Sequence, residues 1–549
     1  MQSQPEDPTL QERLAAAGGL SEGLAGEFSE GFGYGAADVF GVGTFFEHLT
    51  PERAPVGVCA GLSCSLVGGG ERLAGARAAG LEAQACSCLA ACDRTPAARV
   101  ERELLAPLAP GQLEATDGDW RALAATPDTG GGHVWPSEAG DGDLVFALAG
   151  EPDRSGAALG RARELGHEGF LEQLTRSGLQ GRGGAGFPAA DKWRSVAGQA
   201  DDLRYLVLNA DEGEPGTFKD RELLVRRPDL VLEGLMIAAW ALGVKEIHAY
   251  LRAEFGEPRR ALEAELAAAR ADGRLGPELS FRLHEGQGAY ICGEETALLE
   301  AIEGRRGQPR HKPPYPTEVG LWGKPTLVHN VETIAAVPSI AKRGGAWFAG
   351  LGREGPGTKL YSLSGHVARP GVYELPLGAT LNELLEAAGG CTGELKAFTP
   401  GGASSGFLPA SKADLPLGFR SLAAEGTMLG SAGVVVLDSS VDMARAAQIQ
   451  LAFFEAESCG QCTPCRLGTR FLNQALSRHL AGEEGGRPLA EVAEVAWEMN
   501  EASICGLGQA APLPLSSAVK WWPAEFAGGD SGGRGAGPAG LARGSGDGE

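Results

Sequence analysis

The sequence predicts an α/β chain of several domains, closed by a helical segment that carries a tight cysteine triplet. Three observations carry that expectation. With 549 residues the chain is long enough for about three or four domains. Residues 144–350 alternate apolar runs, such as Tyr205-Leu206-Val207-Leu208, with helical stretches at 230–242 and 259–271, the pattern of a layered α/β structure. Its eleven cysteines fall mostly into two groups at ligand spacing, which suits a reducing compartment better than a disulfide framework.

Composition narrows the function classes. A hydrophobic share of 43% is enough for ordinary cores. The net charge of −23 repels phosphate, which argues against a nucleic-acid partner. No run of about 18 apolar residues occurs, so no membrane-spanning helix is expected. The N-terminal string MQSQPEDPTLQERL has no basic stretch followed by an apolar one, so no secretory leader is expected and the location reads as cytoplasmic.

The elements follow in order. Residues 1–50 read as a helical segment with Leu10, Leu14 and Leu20 on it, and 51–125 hold the first cysteine group. Residues 126–143 are rich in Gly, Pro and Asp and read as a linker. The α/β unit at 144–350 comes next. Residues 357–438 show short strands and turns, including Val434-Val435-Val436-Leu437, and read as a small β-rich domain. From 441 to 526 the period turns helical around the second cysteine group. The glycine-rich tail at 527–549 is too polar to build a core and reads as disordered.

The second cysteine group carries the most information. Cys459-x2-Cys462-x2-Cys465, with Cys505 farther on, brings three thiolates to one face of a four-iron, four-sulfur cubane, and the distant cysteine closes it. Zinc sites usually space close cysteines in pairs. The first group, Cys59-x4-Cys64 and Cys88-x3-Cys92, places four thiolates in two pairs. That spacing suits a two-iron, two-sulfur cluster or zinc and does not choose between them. Cys86 is an additional thiol beside them.

Four further strings can hold a ligand. Gly181-Arg182-Gly183-Gly184-Ala185-Gly186-Phe187-Pro188 lacks side chains where backbone N–H groups would approach a phosphate, and Arg182 or Lys192 can supply positive charge. No strong strand precedes it, so it is not an ordinary dinucleotide fingerprint. The string from Asn209 through Asp211, Glu212 and Glu214 to Arg221 follows an apolar run, and the carboxyl end of a strand is where an α/β sheet binds ligands. A solvated charged loop would look the same. In the string from Gly288 to Thr296, Tyr290 offers a flat face and Glu294 and Glu295 offer acceptors. Acidic residues at a helix N-terminus are the plainer reading of that pair. Finally, Tyr315 between prolines is a stiff aromatic, and Asn330 follows in the string Asn330-Val331-Glu332-Thr333.

Together and in this order, GRGGAGFP at 181–188, NADEGEPGTFKDR at 209–221, GAYICGEETALLE at 288–300 and ESCGQCTPCRLGT at 457–469 resemble the family of NADH-binding flavoproteins. That family includes the 51-kDa-like, F-type component of respiratory complex I, the diaphorase subunit of NAD-reducing hydrogenase and the β subunit of soluble NAD-dependent formate dehydrogenase. The resemblance spans roughly 145–526. It implies a Rossmann-like FMN- and NAD(H)-binding domain at 144–350, a soluble-ligand-binding β-grasp domain at 357–438 and a helical four-iron domain at 441–526. By position, Gly181, Gly183, Gly184, Lys192, Asn209, Asp211, Glu212, Tyr290, Gly293, Glu294, Glu295 and Asn330 would line FMN. Phe187, Glu214, Glu295 and Tyr315 are the matching candidates for NAD(H), with Lys192 near both. The cluster ligands would be Cys459, Cys462, Cys465 and Cys505.

The N-terminal part, AADVFGVGTFFEHL followed by the cysteine pairs, resembles the 24-kDa-type subunit of complex I. That implies a thioredoxin-like ferredoxin domain at 51–125, with Cys59, Cys64, Cys88 and Cys92 around a two-iron cluster. Two departures stand out: only 23 residues separate the pairs, and Ala90-Ala91 stands where the family has a glycine-containing pair. Within the family, SICGLGQAAPLPL at 503–515 and PGGASSGFLPASKADLPLGF at 400–419 are most similar to the formate dehydrogenase β subunit. That implies a molybdopterin-bearing catalytic partner and further iron–sulfur subunits. The hydrogenase diaphorase and the F-type component of complex I are the alternatives within the family. A flavin-free electron relay and a zinc-stabilised assembly protein are the alternatives outside it. FMN joins two-electron hydride exchange with NADH to one-electron exchange with clusters.

Overall fold

The computed structural model describes residues 8–51, 53–116, 118–123, 132–136, 144–483 and 491–526. The tail at 527–549 and most of the 126–143 segment lie outside the described residues.

Three short helices open the chain, Leu10–Ala16, Leu24–Phe32 and Ala36–Gly43. The first begins with a reciprocal cap: the Thr9 side chain accepts from Glu12 N–H, and Glu12 accepts from Thr9 N–H. Leu10, Leu14, Leu20 and Phe46 are buried in a core shared with the C-terminal helices. The first sheet follows, built from β1 (Val56–Cys59), β2 (Ala83–Cys86), β3 (Ala98–Val100) and β4 (Glu103–Leu105) in the order β2-β1-β3-β4. β1 and β2 run parallel; β3 and β4 are antiparallel additions. This mixed sheet with its helix Gly69–Ala78 is the expected thioredoxin-like unit.

In the loop after β2, Ala90 is fully buried and sits in the left-handed region at φ 52°. A β-carbon there costs about 1–2 kcal/mol, and glycine removes the clash at some entropic cost. Ala90→Gly is therefore expected to stabilise the chain by about 1 kcal/mol or less, measured by reversible unfolding with the cofactor content held equal.

β5 (His133–Trp135) lies inside the segment read as a linker and pairs with a strand far along the chain. Three residues among glycines carry no periodicity, so only the tertiary partner makes this a strand. The central sheet comprises β6 (Tyr205–Ala210), β7 (Glu246–Leu251), β8 (Ser280–Glu285) and β9 (Thr326–Asn330), all parallel, in the order β8-β7-β6-β9. The chain runs outward from β6 through β7 to β8, then returns to the other side of β6 as β9. That reversal places a topological switch point between the carboxyl ends of β6 and β9. Helices Pro228–Leu242 and Val331–Arg343 pack closely beneath it, because an added β-carbon at Gly234 would lie 2.2 Å from the Ile334 carbonyl oxygen.

The third sheet adds β10 (Thr358–Gly365), β11 (Gly371–Pro376), β12 (Leu395–Thr399), β13 (Leu408–Pro409) and β14 (Gly433–Asp438), in the order β13-β12-β14-β10-β11-β5. Its central pair β10 and β14 is parallel and its outer pairs β10–β11 and β12–β14 are antiparallel, with Thr380 capping the Leu381–Ala388 helix that covers it. The chain ends in helices Met443–Glu457, Thr463–Leu480, Val492–Ala502, Gly506–Ala510 and Leu513–Trp521. The expected α/β multidomain class, with a helical iron–sulfur end, is the one observed. Among the described residues no helix is long and apolar enough to cross a membrane.

Candidate functional site

Asn209 at the end of β6 stands opposite Asn330 at the end of β9, and the glycine loop is laid against Asn330. The loop joins helices Ala157–Ser177 and Ala189–Ala197 and is pinched at its base, where Gly181 N–H donates to the Phe187 carbonyl at 2.8 Å. Gly184 and Gly186 have φ of 150° and 66°. An added β-carbon at Gly183 would stand 3.0 Å from Asn330 Cβ, whereas at Gly184 it would meet nothing within 4 Å. The loop is thus close to the sheet on one side and open on the other. Arg182 does not supply charge to that opening. Its side chain is buried, with Nη2 donating to the Pro356 carbonyl at 2.7 Å.

The acidic string holds the switch point together. Asn209 Nδ2 donates to the Gly293 carbonyl at 2.8 Å, and its Oδ1 accepts from Asp211 N–H. Glu212 spends both carboxylate oxygens on the N–H groups of Asp220 and Arg221, capping helix Lys219–Arg226. Burial and the neighbouring Asp220 raise its carboxyl to about 7. Glu214 reaches the third sheet's segment, accepting from Ser404 N–H at 2.7 Å and from Tyr290 O–H at 2.5 Å. Asp211 differs from these: its Oδ2 is out of contact with water and has no hydrogen-bond partner. Burial lifts its carboxyl to about 8, against the pull of Arg252.

The string 290–295 supplies the opposite wall. The Tyr290 ring packs edge-on against Phe453, and its edge stands 2.9 Å from where a Gly213 β-carbon would be. Glu294 caps helix Glu295–Ile302 through Thr296 N–H and Ala297 N–H, as the plainer reading of an acidic helix start required. Glu295 bridges two cations, Lys192 Nζ at 2.6 Å and Lys312 Nζ at 3.0 Å. Burial opposes its charge, but the two lysines outweigh that and hold its carboxyl down at about 2. Phe187 and Tyr315 are both more than half exposed and flank this lysine–glutamate–lysine bridge in sequence.

Cys59 ends β1, Cys64 lies on helix Leu62–Ser65, and Cys88 and Cys92 sit in the loop after β2. All four are buried, and Cys88 Sγ is 3.9 Å from Cys92 Sγ. Hydrogen bonding with Cys59 pushes the Cys88 thiol up to about 12. Cys86 stands beside Cys59 as its register partner across β1 and β2, with Glu47 and Arg99 as its charged neighbours. In the second set, Cys462 and Cys505 stand at the N-cap positions of helices Thr463–Leu480 and Gly506–Ala510, without side-chain capping bonds. Two helix N-termini therefore aim their positive ends at one cysteine set, which favours an anionic occupant. Burial pushes Cys465 up to about 12 and Cys505 to about 11, so binding iron is what would deprotonate them.

These residues fit the groups the sequence implied. A flavin cradle needs backbone without β-carbons and an unfilled acceptor, which Gly183, Gly184, Gly213 and the bare Asp211 Oδ2 provide. A small polar cavity of about 20 Å³ runs from Asp211, Gly213 and Tyr290 to Cys88, Arg252 and Glu457. At the first cysteine set, a Gly61 β-carbon would only touch Cys59 Sγ, at 3.5 Å. Among the described residues no three His, Cys, Asp or Glu side chains converge tightly enough to enclose a single metal ion.

The raised Asp211 carboxyl has a measurable consequence. The folded chain keeps a proton that the unfolded chain loses near the ordinary 3.8, so stability falls as pH rises between about 4 and about 8. The slope from this one group approaches about 1.4 kcal/mol per pH unit. Asp211→Asn is expected to flatten that dependence in unfolding measurements on the flavin-free chain at pH 5 and pH 8. An unchanged slope would contradict the assignment.

Sequence reasoning missed the arginines that join the first sheet to the second. Arg252 donates to the Cys88 carbonyl at 2.7 Å and to the Glu212 carbonyl at 2.7 Å. Arg221 donates to the Ala90 carbonyl at 2.6 Å and pairs with Asp93. The second cysteine set is tied in by Glu457, which accepts from Tyr290 N–H at 2.9 Å. No sequence spacing links these pairs.

Comparison with known proteins agrees with this geometry. Residues 174–339 match the family model of the Nuo51 FMN-binding domain, 360–408 match the SLBB domain and 445–528 match the NADH-ubiquinone oxidoreductase-F iron–sulfur binding region. The second F-type component of NADH-quinone oxidoreductase in Rhizobium meliloti is 46% identical over 368 residues, 65% of this chain and 87% of the relative. The F-type component of the same enzyme in Mycobacterium tuberculosis is 43% identical over 383 residues, 67% and 86% respectively. Among solved structures, a chain of the NAD+-reducing [NiFe]-hydrogenase in the air-oxidized state superposes with a TM-score of 0.85 at 31% identity. That match covers 95% of this chain and 94% of the other.

Proposed function

The chain belongs to the family of F-type NADH-quinone oxidoreductase components, and from that premise we propose that it is an NADH-acting diaphorase module carrying FMN and a four-iron cluster. The observation that carries this reading is the wall formed by 290–295. It packs on Asp211 and reaches Lys192, just beyond the glycine loop, through Glu295 on one side, while Tyr290 and Glu294 lie within electrostatic reach of Cys505 on the other. When bound, FMN supplies the conversion between hydride exchange and single-electron exchange.

The chain's own residues do the positioning. Gly181, Gly183 and Gly184 offer backbone to the flavin phosphate, with Lys192 as the cation beside them. Asn209, Asp211, Glu212, Gly293 and Asn330 hold the switch point open to the ring, with Tyr290, Glu294 and Glu295 as the far wall. Phe187 and Tyr315 offer exposed rings to the nicotinamide nucleotide, with Glu214 and Glu295 as acceptors. Hydride transfer needs no acid or base, so these carboxylates orient and tune. Cys459, Cys462, Cys465 and Cys505 hold the four-iron cluster, and Cys59, Cys64, Cys88 and Cys92 hold a two-iron cluster.

For the partner, the strings at 400–419 and 503–515 favour a molybdopterin chain, making this the β subunit of an NAD-dependent formate dehydrogenase of the cytoplasm. A second reading, the diaphorase of a nickel–iron hydrogenase, is supported by the likeness to that complex over 95% of the chain. Purification of the intact complex separates them: molybdenum or tungsten supports the first, nickel the second. Flavin-replete protein unable to pass electrons from NADH to an artificial acceptor would sink both.

A further inference from the structure

Beneath Asn330 lies a group of buried charges that no substrate-facing role explains. Lys219 Nζ is shared among Asp220 Oδ1 at 2.7 Å, Glu332 Oε2 at 3.1 Å and Asn330 Oδ1 at 3.3 Å. Asn330 Nδ2 in turn donates to Asp220 Oδ2 at 2.5 Å, and Asn330 Oδ1 accepts from Glu332 N–H at 3.0 Å. The remaining cation comes from another sheet. Lys359, on β10, pairs directly with Glu332 Oε2, while Leu360 N–H donates to Glu332 Oε1 at 3.0 Å. Lys219, Glu332 and Lys359 are all fully buried.

The arithmetic of this group gives Lys359 a task. Glu332 is buried and needs a counter-charge, because an unpaired buried carboxylate is strongly destabilising. While Lys359 neutralises it, Lys219 is free to bind Asp220 and Asn330. Without Lys359, Lys219 at 3.1 Å is the cation left in ion-pair contact with Glu332 among the described residues, with the buried Arg182 acting on it from farther off, and the shared ammonium shifts toward Glu332. Asp220 and Asn330 then lose the ammonium that fixes them. Burial, opposed by Glu332, brings the Lys359 ammonium down to about 7, which marks its charge as dependent on this pairing.

We propose that Lys359 is a positioning residue of the flavin cradle, by which the third sheet fixes Asn330 through Glu332 and Lys219. The proposal rests on the reading of Asn330 as a cradle residue. It gives the β-grasp unit a purpose in this chain that requires no soluble ligand: its first strand completes the electrostatics of the switch point. Lys359 touches neither the glycine loop nor the 290–295 wall in any hydrogen bond or ion pair among the described residues.

The test uses the full-length holoprotein. FMN release on dilution is followed by its fluorescence in wild type, Lys359→Met and Lys359→Arg, alongside iron content, thermal midpoint and the flavin's midpoint potential. Glu332 keeps Lys219 as a partner in Lys359→Met, so the variant is expected to fold with unchanged iron. Its FMN dissociation constant is expected to rise about tenfold, the loss of a single hydrogen-bonded contact to the cradle, with a shifted potential. Lys359→Arg keeps the charge and is expected to restore both. A purely structural lysine would lower the thermal midpoint and leave affinity and potential unmoved, and that outcome overturns the proposal. If Lys359→Met does not fold, Lys359→Met with Glu332→Gln removes the carboxylate that would draw Lys219 away, so near-wild-type FMN affinity is expected of the pair and a loss of about tenfold overturns the proposal. Failure of both to fold also overturns it. Wild-type protein that binds no FMN would instead overturn the cradle reading itself.

Discussion

Replacing Cys465 with serine is expected to strip about four irons from each chain and to reduce electron delivery to a partner complex to background. Cys465 is buried at the start of helix Thr463–Leu480, with Ser458 Oγ 3.2 Å from its sulfur and Gly508 packed against its β-carbon position. In the proposed ligand set Cys459, Cys462 and Cys505 are already spent on the same cluster, so none of them can take its place. Serine is smaller and its hydroxyl is a poor ligand for iron, so the site is left with three thiolates. The flavin wall is separate enough that NADH should still bleach FMN in the variant. The measurement is iron per chain together with NADH-driven reduction of a hydride-accepting dye and of the natural partner. Retention of all iron, or equal loss of both activities, would contradict the division of labour proposed for the two sites.

The second large effect is expected at the glycine loop. A β-carbon at Gly183 would already stand 3.0 Å from Asn330 Cβ and 3.5 Å from its Cγ, and valine adds two methyl groups beyond that. Overpacking of this kind costs about 1–3 kcal/mol, which is about 5- to 150-fold in FMN affinity if it falls on the bound state. Gly183→Val is therefore expected to purify with its iron and little flavin. The assay is FMN released by acid per chain, compared with iron. Full flavin content would mean that the loop does not cradle it.

Much of this site was legible because its residues are close in sequence. The cysteine triplet, the glycine loop and the acidic string each state their chemistry within a few positions, and the alternation at 144–350 announced a layered α/β unit. What was illegible depends on long-range partners. Arg182 reads as a phosphate ligand in its string, yet the fold turns it inward onto the Pro356 carbonyl. Glu212 reads as a ligand-holding acid and spends its oxygens on a helix start. Glu332, Lys219 and Lys359 look like surface charges, since nothing in 219, 332 or 359 predicts that one buried group will contain all three. β5 was passed over for the same reason: three residues become a strand only where β11 offers them an edge. Ala90 was visible as a departure, and its left-handed backbone shows why a glycine suits that position.

The burial of all four N-terminal cysteines, with Arg252 and Arg221 tying their loop to the second sheet, gives that set a physical link to the flavin wall. The polar cavity between Cys88 and Asp211 lies on the same line. An occupied first set would extend the electron path beyond the flavin, and its occupancy is countable.

The most direct measurement is therefore an absorbance spectrum and cofactor assay of anaerobically purified protein, before and after NADH. The account predicts released FMN, flavin bleaching by NADH, and about six irons per chain with both cysteine sets filled; about four would contradict the two-iron assignment at the first set. Folded, oxygen-protected protein with neither flavin nor iron would contradict it.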